Sequence, residues 1–264
     1  MEKIPYNEIR NEDCLDTMSN MPNNYIDLTV TSPPYDNMRK YNGYSFDFES
    51  IAKELYRVTK QGGVVVWVVG DATIKGSESG TSFKQALYFK ECGFNLHDTM
   101  IYEKSGVMPS VNRYCQMFEY MFVLSKGKPL KTNLIKDRKN NWGGTETFSN
   151  ITIRQKDGSL KKKDKKRIKE YGLRFNIWRI INGGGFGQKD KIAYKHPATF
   201  PEQLANDHII SWSNEGDLVY DPFTGSGTTV KMAKLNNRNY VGSEISEEYC
   251  EIIEQRLDDN GTLF

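Results

Sequence analysis

The chain has 264 residues, of which 38% are hydrophobic, 12% aromatic and 27% charged. This composition is typical of a folded globular protein and excludes a disordered or fibrous chain. The length is sufficient for one sizeable core, alone or with a small appended module. The longest apolar run, Val64–Val69, is too short to cross a bilayer, and the N-terminus lacks a signal-peptide pattern. We therefore expect a soluble cytoplasmic protein that does not contact membranes.

Charge is unevenly distributed along the chain. The 36 Lys and Arg and 34 Asp and Glu give a formal charge of +2. Residues 126–179 contain 17 basic and 5 acidic residues, a net +12, so the rest of the chain carries −10. A basic module inside an acidic body suggests a polyanionic partner, most simply nucleic acid. A solvated lysine-rich loop is the alternative interpretation.

The four cysteines are scattered singly, at Cys14, Cys92, Cys115 and Cys250. None forms a CxxC pair, so the spacing of a zinc ribbon is absent and no metal site is expected. Isolated cysteines suit a reducing cytosol better than a disulfide scaffold.

The first predicted elements alternate between strand and helix. Tyr25–Thr31 is a β-branched strand that Pro33 and Pro34 terminate, because neither proline can donate to a ladder. Phe46–Thr59 has apolar residues at helical spacing, and the Gln61-Gly62-Gly63 turn is expected to end this helix with a left-handed glycine cap. Val64–Val69 follows as a strand covered on both faces.

The alternation continues to the C-terminus. The predicted elements are a helix over Ser82–Cys92, strands over Leu96–Tyr102 and Tyr120–Leu124, a helix from Pro201 to Trp212, a strand over Leu218–Tyr220, a helix over Gly227–Leu235, a strand over Tyr240–Gly242 and a helix over Ser246–Leu257. No strong helix separates Leu96–Tyr102 from Tyr120–Leu124, so we expect an antiparallel pair there. The fold class is therefore α/β, a doubly wound and mostly parallel sheet with one antiparallel strand. Residues 1–125 and 192–264 build this domain, and the polar, lysine-rich residues 126–191 form an inserted module.

A glycine turn follows a predicted strand near the C-terminus. From Asp221 to Thr229 the sequence reads DPFTGSGTT, and Gly225 and Gly227 allow the backbone to approach a ligand closely. Glu244 ends the next strand, where a carboxylate can accept hydrogen bonds from ribose hydroxyls. Neither the NTPase pattern GxxxxGK[ST] nor a complete GxGxxG is present. A strand-end aspartate repels pyrophosphate but attracts an ammonium or sulfonium group, which favours S-adenosylmethionine. A glycine turn without a ligand is the alternative.

The tetrapeptide Ser32-Pro33-Pro34-Tyr35 follows a strand and is expected at the same sheet edge. Its prolines stiffen the backbone and lack N–H groups, so nearby carbonyls are free to accept hydrogen bonds. Tyr35 offers a flat face for stacking. Rigid acceptors beside an aromatic ring suit the exocyclic amino group of a planar base and would orient it for attack on an activated methyl group. A simple proline strand stop is the alternative interpretation.

Four segments together resemble the amino-DNA methyltransferases, the N4-cytosine and N6-adenine group. They are TSPPY (31–35), HPATFPEQL (196–204), DPFTGSGTT (221–229) and VGSEISEEY (241–249). The catalytic motif precedes the insert and the cofactor motif lies near the C-terminus, an order similar to the β class. The resemblance implies a Rossmann-like methyltransferase sheet, S-adenosylmethionine as cofactor and double-stranded DNA as partner.

The resemblance also implies roles for matching positions. Those that would hold the flipped base are Ser32, Pro33, Pro34 and Tyr35. Those that would surround the cofactor are Asp13, Cys14, His196, Pro197, Thr199, Asp221, Phe223, Gly225, Ser226, Gly227 and Glu244. Among these, Asp13 and Cys14 would approach the adenine ring, and Glu244 would hold the ribose. The insert matches the family's variable target-recognition region.

Ser32 bears on the choice of base. Adenine enzymes of the family usually carry Asp or Asn before Pro-Pro-Tyr, whereas Ser is typical of N4-cytosine enzymes, so cytosine is favoured and N6-adenine is the alternative. C5-cytosine chemistry usually needs a Pro-Cys dipeptide, and none is present. An RNA or protein-amide methyltransferase is a more distant alternative, and a DNA-binding module with a vestigial cofactor fold is a third.

The densest basic run of the insert is expected to bind DNA phosphates without reading sequence. Its residues are Lys161, Lys162, Lys163, Lys165, Lys166 and Arg167. Residues that could read base edges are Asn140, Asn141, Arg154, Gln155 and Arg174. The sequence leaves open the recognition site, the oligomeric state and whether a cognate restriction endonuclease exists as a separate chain.

Overall fold

The computed structural model describes residues 5–34, 46–106, 111–147, 152–162, 164–181, 187–199 and 201–258. The chain divides into two compact units. The sheet unit comprises residues 1–133 and 176–264, and the basic unit comprises Leu134–Phe175. The basic unit therefore lies within the predicted insert 126–191 and is shorter than it at both ends.

The described helices and strands follow one another in chain order. Before the basic unit come β1 (Glu8–Arg10), α1 (Cys14–Ser19), β2 (Ile26–Thr31), α2 (Phe48–Val58), β3 (Thr59–Val69), β4 (Thr73–Ile74), β5 (Ser77–Glu78), α3 (Thr81–Glu91), β6 (Asn95–Glu103) and β7 (Phe118–Ser125). The basic unit contains β8 (Arg138–Lys139), β9 (Thr152–Arg154), β10 (Leu160–Lys162) and β11 (Tyr171–Gly172). After it come β12 (Ile177–Arg179), a 3-10 helix (Lys191–Lys195), α4 (Glu202–Trp212), β13 (Leu218–Asp221), α5 (Thr228–Leu235), β14 (Asn239–Ser243) and α6 (Glu247–Asp258).

Eight described strands form one sheet in the order β1-β14-β13-β2-β3-β7-β6-β12. Every neighbouring pair is parallel except the two that involve β7, which runs antiparallel to β3 and to β6. The mostly parallel α/β sheet and its antiparallel β6–β7 pair are thus confirmed.

Helices cover both faces of this sheet, as a doubly wound fold requires. Along β3, Val64, Val66 and Val68 pack into one apolar cluster, whose helical part includes Ala205 and Ile209 of α4. Val65, Trp67 and Val69 pack into the cluster on the other face, with residues of α1, α2 and α3. Because successive side chains of a strand point to opposite faces, a continuous apolar run fills both cores.

The predicted glycine cap after α2 is wrong. The helix ends at Val58, and Thr59 closes it by donating its hydroxyl to the Leu55 carbonyl at 2.6 Å. Thr59 also begins β3, which continues through Gly62 into the apolar run. Gly62 has a φ of +78°, but it serves the packing of Leu130, whose Cγ would lie 2.3 Å from a Cβ at this position.

Strand β12 is a second difference from the sequence-based prediction. Residues 177–179 fall within the predicted insert 126–191, yet they pair in parallel with β6 at the edge of the main sheet. Trp178 and Ile180 are buried in the core on one face. The strand has only three residues and follows a basic segment, so its apolar residues are too few to show a period.

Candidate functional site

Four neighbouring parallel strands, β1, β14, β13 and β2, end at the same edge of the sheet. Each is followed by, or ends in, residues that the sequence assigned to the site. Asp13 follows β1, Glu244 follows β14, Asp221 ends β13 and Ser32 follows β2. Ligands of open α/β sheets bind outside the carboxyl ends of the strands. The fold therefore brings the two predicted constellations to one edge.

A hydrogen bond joins these two constellations directly. Thr31 ends β2 immediately before Ser32, and its hydroxyl donates to Oδ1 of Asp221 at 2.7 Å. The Phe223 amide donates to the same oxygen at 3.1 Å. Two segments 190 residues apart are thus in contact, as expected from the sequence for the two constellations.

Asp221 is a buried carboxylate with an open acceptor. It is 1% exposed, and its Oδ2 has no hydrogen-bond partner among the described residues. Burial raises the pKa of Asp221 to about 6, although hydrogen bonds from Thr31 and the Phe223 amide and the nearby Thr229 hydroxyl oppose the shift. An unsatisfied buried carboxylate oxygen is costly unless a donor or cation binds it. The site therefore fits a ligand with a positively charged group.

The glycine loop has a backbone conformation at its turns that residues with a side chain rarely adopt. Gly225 and Gly227 have φ values of +54° and +85°. Thr224 anchors the loop through its hydroxyl, which donates to the carbonyl of Asp221 or Ser243, each at 3.0 Å. A Cβ at Gly225 would lie 3.2 Å from the His196 ring. The loop thus needs glycine here for both its backbone conformation and its close packing.

Glu244 links the glycine loop to the start of α6. Its Oε2 accepts from the Gly225 amide at 2.9 Å, and its Oε1 accepts from the Ser246 amide at 2.9 Å. Burial raises the pKa of Glu244 although these amides oppose it, and the nearby charge of Asp221 raises it further. Each carboxylate oxygen keeps a lone pair, so both can still accept from ligand hydroxyls.

Asp13 and Cys14 lie where β1 leads into α1. Asp13 caps the helix by accepting from the Leu15 amide at 2.7 Å. Cys14 is buried, and its carbonyl lies 3.5 Å from the Tyr220 hydroxyl. That hydroxyl also contacts the Ser243 hydroxyl at 2.9 Å, so this turn is tied to β13 and β14.

His196 covers the glycine loop from a segment that precedes α4. Its ring lies against Gly225 and makes an edge-on contact with Tyr249 of α6, at 4.5 Å between ring centroids. The Ala198 amide lies 3.1 Å from Nδ1 of His196 and keeps the turn tight. Pro197 is exposed and Thr199 half-buried.

Phe223, which the sequence assigned to the cofactor site, lies beside two further aromatic residues that the motifs did not reveal, Phe46 and Trp67. Its ring centroid lies 5.7 Å from that of Phe46 and 6.3 Å from that of Trp67, and Phe223 itself is half-buried. The indole N–H of Trp67 donates a hydrogen bond to Oε1 of Gln85 at 2.9 Å. Aromatic faces of this kind suit a planar ligand. The sequence signal was weak, because Phe46 and Trp67 read equally well as core residues.

The base-binding segment is described in part. Pro33 is buried, and Ser32 and Pro34 are half-buried, directly after β2. Tyr35, predicted to stack on the base, lies outside the described residues. The roles of Ser32, Pro33, Pro34 and Tyr35 stay predictions.

The basic unit presents most of its predicted DNA-binding residues to solvent. Lys161, Lys162, Lys165, Lys166 and Arg167 are exposed. Strands β9 and β10 form an antiparallel hairpin whose six residues are all exposed. Lys163 lies outside the described residues.

Two residues predicted to be able to read bases are engaged within the unit. Arg174 pairs with Asp137, with Nε 3.0 Å from Oδ2. Asn140 donates its side-chain amide to the Lys169 carbonyl at 2.8 Å. These contacts give Arg174 and Asn140 a role in holding the unit together, which explains both residues at least as well as base readout does.

The described residues contain neither a metal-binding cluster nor a membrane-spanning helix. Among these residues, no group of three or more His, Cys, Asp or Glu is arranged to hold a metal ion. None of the described helices is long and apolar enough to span a bilayer.

Comparison with known proteins identifies the family. Residues 26–255 match the N6/N4 family model described as DNA methylase. The orphan methyltransferase M.BamHII of Bacillus amyloliquefaciens is 65% identical over 234 residues, 88% of each chain. The type II methyltransferase M.BglII of Bacillus subtilis is 27% identical over 95% of this chain and 69% of its own length. The chain therefore belongs to this DNA methylase family, and it is a DNA methyltransferase.

Solved structures share the fold. PvuII DNA methyltransferase, described as cytosine-N4-specific, superimposes with a TM-score of 0.71 at 21% identity, over 99% of this chain and 89% of its own. A complex of M1.HpyAVI with S-adenosylmethionine gives a TM-score of 0.62 at 20% identity, over 95% of this chain and 99% of its own. At these identities the likeness establishes the sheet architecture.

Proposed function

We propose that this DNA methyltransferase transfers a methyl group from S-adenosylmethionine to the exocyclic N4 amino group of a cytosine flipped out of duplex DNA. The observation that carries the proposal is the hydrogen bond from Thr31 to Asp221, because it joins the proposed base site to the proposed cofactor site. Family membership favours DNA over RNA or a protein amide as substrate.

The residues at the strand ends fit S-adenosylmethionine, which supplies a methyl group on a positively charged sulfur when it is bound. Asp221 offers a buried carboxylate oxygen to the cationic end of the molecule. Glu244 offers two oxygens to ribose hydroxyls, and the glycine loop leaves room for the backbone to approach. The half-buried Phe223 ring offers an apolar face to the nucleoside.

On the other side of the edge, Ser32, Pro33 and Pro34 would bind the target amine. An aromatic amine is a weak nucleophile because its lone pair is delocalised into the ring. Fixed acceptors that bind its N–H groups favour a pyramidal nitrogen and localise that lone pair. Position and oriented dipoles then supply most of the catalysis. Proton loss can follow methyl transfer, so no strong base is needed in the site.

The choice of cytosine comes from Ser32, which stands before Pro-Pro-Tyr where adenine enzymes usually carry Asp or Asn. N6-adenine is the second candidate, since the acceptor chemistry of the segment suits either amine. The two products differ as nucleosides, so mass analysis of the modified DNA distinguishes them directly.

Phosphate contacts from the basic unit would help offset the cost of base extrusion, which is roughly a few kcal/mol. The unit carries 13 Lys and Arg against 5 Asp and Glu. We expect these charges to position the duplex and to make binding depend on salt.

The test is incubation of the protein with methyl-labelled S-adenosylmethionine and mixed-sequence duplex DNA, followed by digestion and nucleoside mass analysis. The expected product is N4-methylcytosine. N6-methyladenine would overturn the choice of base, and label in RNA or protein but not in DNA would overturn the substrate class. Asp221→Asn should abolish labelling, whereas Asp217→Asn, a carboxylate at the other end of β13, should retain it.

A further inference from the structure

A buried network of four charged side chains lies behind the glycine loop. Lys231 of α5 contacts Asp190 at 2.5 Å and Glu202 of α4 at 2.8 Å. Arg256 of α6 contacts the same two carboxylates at 2.9 and 3.0 Å. The side chains of Arg256 and Glu202 are 0% and 3% exposed. We call these four residues the ionic quartet.

Stability alone is a poor explanation for the ionic quartet. Removing charges from water is costly, and buried ion pairs are often no more stabilising than apolar residues of similar volume. The positive and negative charges are nevertheless balanced within the quartet. Burial would raise the pKa of Asp190, but Lys231 and Arg256 outweigh it and hold that pKa below its usual value. A network that stays ionised and fixed in geometry is better explained if it holds the neighbouring segments in position.

Arg256 connects the ionic quartet to the glycine loop. Its Nη1 donates to the carbonyl of Ser226 and lies 3.2 Å from the Ser226 hydroxyl. Ser226 stands between Gly225 and Gly227, so this bond fixes the loop between its two glycines.

Arg256 also holds the segment that leads to His196. Its Nη2 donates to Gln188 Oε1 at 2.6 Å, and Gln188 donates to the Thr228 hydroxyl at 3.2 Å. Asp190 accepts from Arg256 and caps the 3-10 helix before His196, since it accepts from the Ala193 amide at 3.3 Å. The Arg256 guanidinium therefore binds both the glycine loop and the segment that leads to His196. These two segments meet where His196 packs on Gly225.

We propose that Arg256 is a positioning residue that sets the spacing between the glycine loop and the His196 segment, and thereby the affinity for S-adenosylmethionine. The inference rests on the proposed function, since it takes these two segments as the walls of the cofactor site. Arg256 acts through Ser226, Gln188 and Asp190. The planar fork of arginine donates in several fixed directions at once, which a lysine ammonium cannot reproduce.

The test compares Arg256→Lys with Arg238→Lys. Arg238 is a matched control, because it also donates to backbone carbonyls, at 2.7 Å to Ser213 and 2.6 Å to Asn236, but contacts no cofactor segment. Calorimetry gives the Kd for S-adenosylmethionine, thermal unfolding gives the Tm, and steady-state kinetics give kcat and KM. We expect Arg256→Lys to raise Kd and KM roughly tenfold or more with a much smaller change in kcat.

Several outcomes would overturn the proposal. One is a lower Tm for Arg256→Lys with unchanged Kd; another is an equal loss of affinity in Arg238→Lys. Gln188→Ala removes the side-chain bonds of Gln188 to Arg256 and Thr228 without removing a charge, so it serves if Arg256→Lys does not fold, and it should weaken cofactor binding in the same direction. Unchanged affinity in Gln188→Ala would then contradict the proposal. Failure of the wild-type protein to bind S-adenosylmethionine would instead overturn the proposed function.

Discussion

In the proposed site the buried charge of Asp221 costs the free protein, and it would stabilise the complex with a cationic cofactor. A pKa of about 6 in place of 3.8 corresponds to roughly 3 kcal/mol of unfavourable burial of the charged form. Thr31 and the Phe223 amide stabilise one oxygen and leave the other for a ligand. Such arrangements are common at functional sites, where polar groups are prepared for a partner.

The first prediction concerns pH. In the proposed site the ionised form of Asp221 would bind the cationic cofactor, and this form predominates above pH 6. Affinity for S-adenosylmethionine should therefore be about tenfold weaker at pH 5 than at pH 7.5. Calorimetry at both pH values measures this. Asp221→Asn should bind weakly at both, and Asp217→Asn should keep the wild-type dependence. A flat wild-type profile would contradict the role of this carboxylate.

The same pKa predicts a trend in the stability of the free protein. The native state holds the Asp221 proton more tightly than the unfolded state, whose carboxyl titrates near 3.8. The contribution of this group is therefore fully present below that pH and is lost as the pH rises through about 6. Urea unfolding across this range should show the decline in the wild type and a smaller one in Asp221→Asn. An equal decline in both proteins would argue against a strongly buried charge.

A further prediction separates packing from backbone strain at Gly225. Gly225 and Gly76 both have positive φ, +54° and +81°, but a Cβ at Gly76 would meet nothing within 4 Å. Each Gly→Ala substitution should cost about 1 kcal/mol of stability through its backbone. Only Gly225→Ala should also weaken cofactor binding, because its Cβ crowds His196. Equal cofactor affinities for the two variants would show that the contact with His196 is irrelevant to the site.

At the scale of elements, local periodicity was informative where a segment is apolar throughout. The run Val64–Val69 predicted a strand covered on both faces because its side chains alone fill two cores. The start of the same strand, Thr59–Gly63, looks like a turn, since it is polar and contains two glycines. Its pairing with β2 and its packing against Leu130 are non-local, so no pattern within five residues could indicate them.

The site shows the same division between local and non-local information. Motifs that lie within one loop, such as Asp221–Thr229, were recognisable because their chemistry is contiguous in sequence. The ionic quartet was not, because Asp190, Glu202, Lys231 and Arg256 meet only after three helices and a loop have packed. Each of these residues alone is read most simply as a solvated surface charge.

At the scale of elements, the testable prediction concerns DNA binding by the β9–β10 hairpin. All of its strand residues are exposed, so Lys161 and Lys162 are available to phosphates. Replacing both by Ala should weaken binding to all duplex sequences alike and reduce the slope of log K against log salt by about 2. Fluorescence anisotropy at several salt concentrations measures this. Lys84→Ala with Lys90→Ala, the same charge change on α3, is the control. Loss confined to one sequence would indicate base readout instead.

At the scale of the whole molecule, the proposed cofactor site and the proposed phosphate-binding residues belong to two different compact units. Every described residue assigned to the cofactor site lies in the sheet unit, and the densest basic run lies in Leu134–Phe175. The basic unit lies between β7 and β12 in the chain, and both of these strands belong to the eight-stranded sheet. The two proposed tasks can therefore be tested separately.

This separation predicts the effect of removing residues 134–175. A flexible linker of about ten Gly and Ser residues should replace them, since loop closure costs little at this length. The shortened protein should bind S-adenosylmethionine within about twofold of the wild type and lose most of its affinity for DNA. Calorimetry and anisotropy measure the two affinities. Loss of cofactor binding in a folded, cooperatively melting variant would contradict the division of tasks.

The central claim is that methyl transfer occurs where the ends of β2 and β13 meet. A crystal structure of the protein bound to S-adenosylhomocysteine tests it most directly. We predict the amino group of the ligand within about 3.2 Å of Asp221 Oδ2, its ribose hydroxyls on Glu244 and its sulfur facing Ser32–Pro34. A ligand bound away from these strand ends, or a sulfur facing away from Ser32, would contradict it.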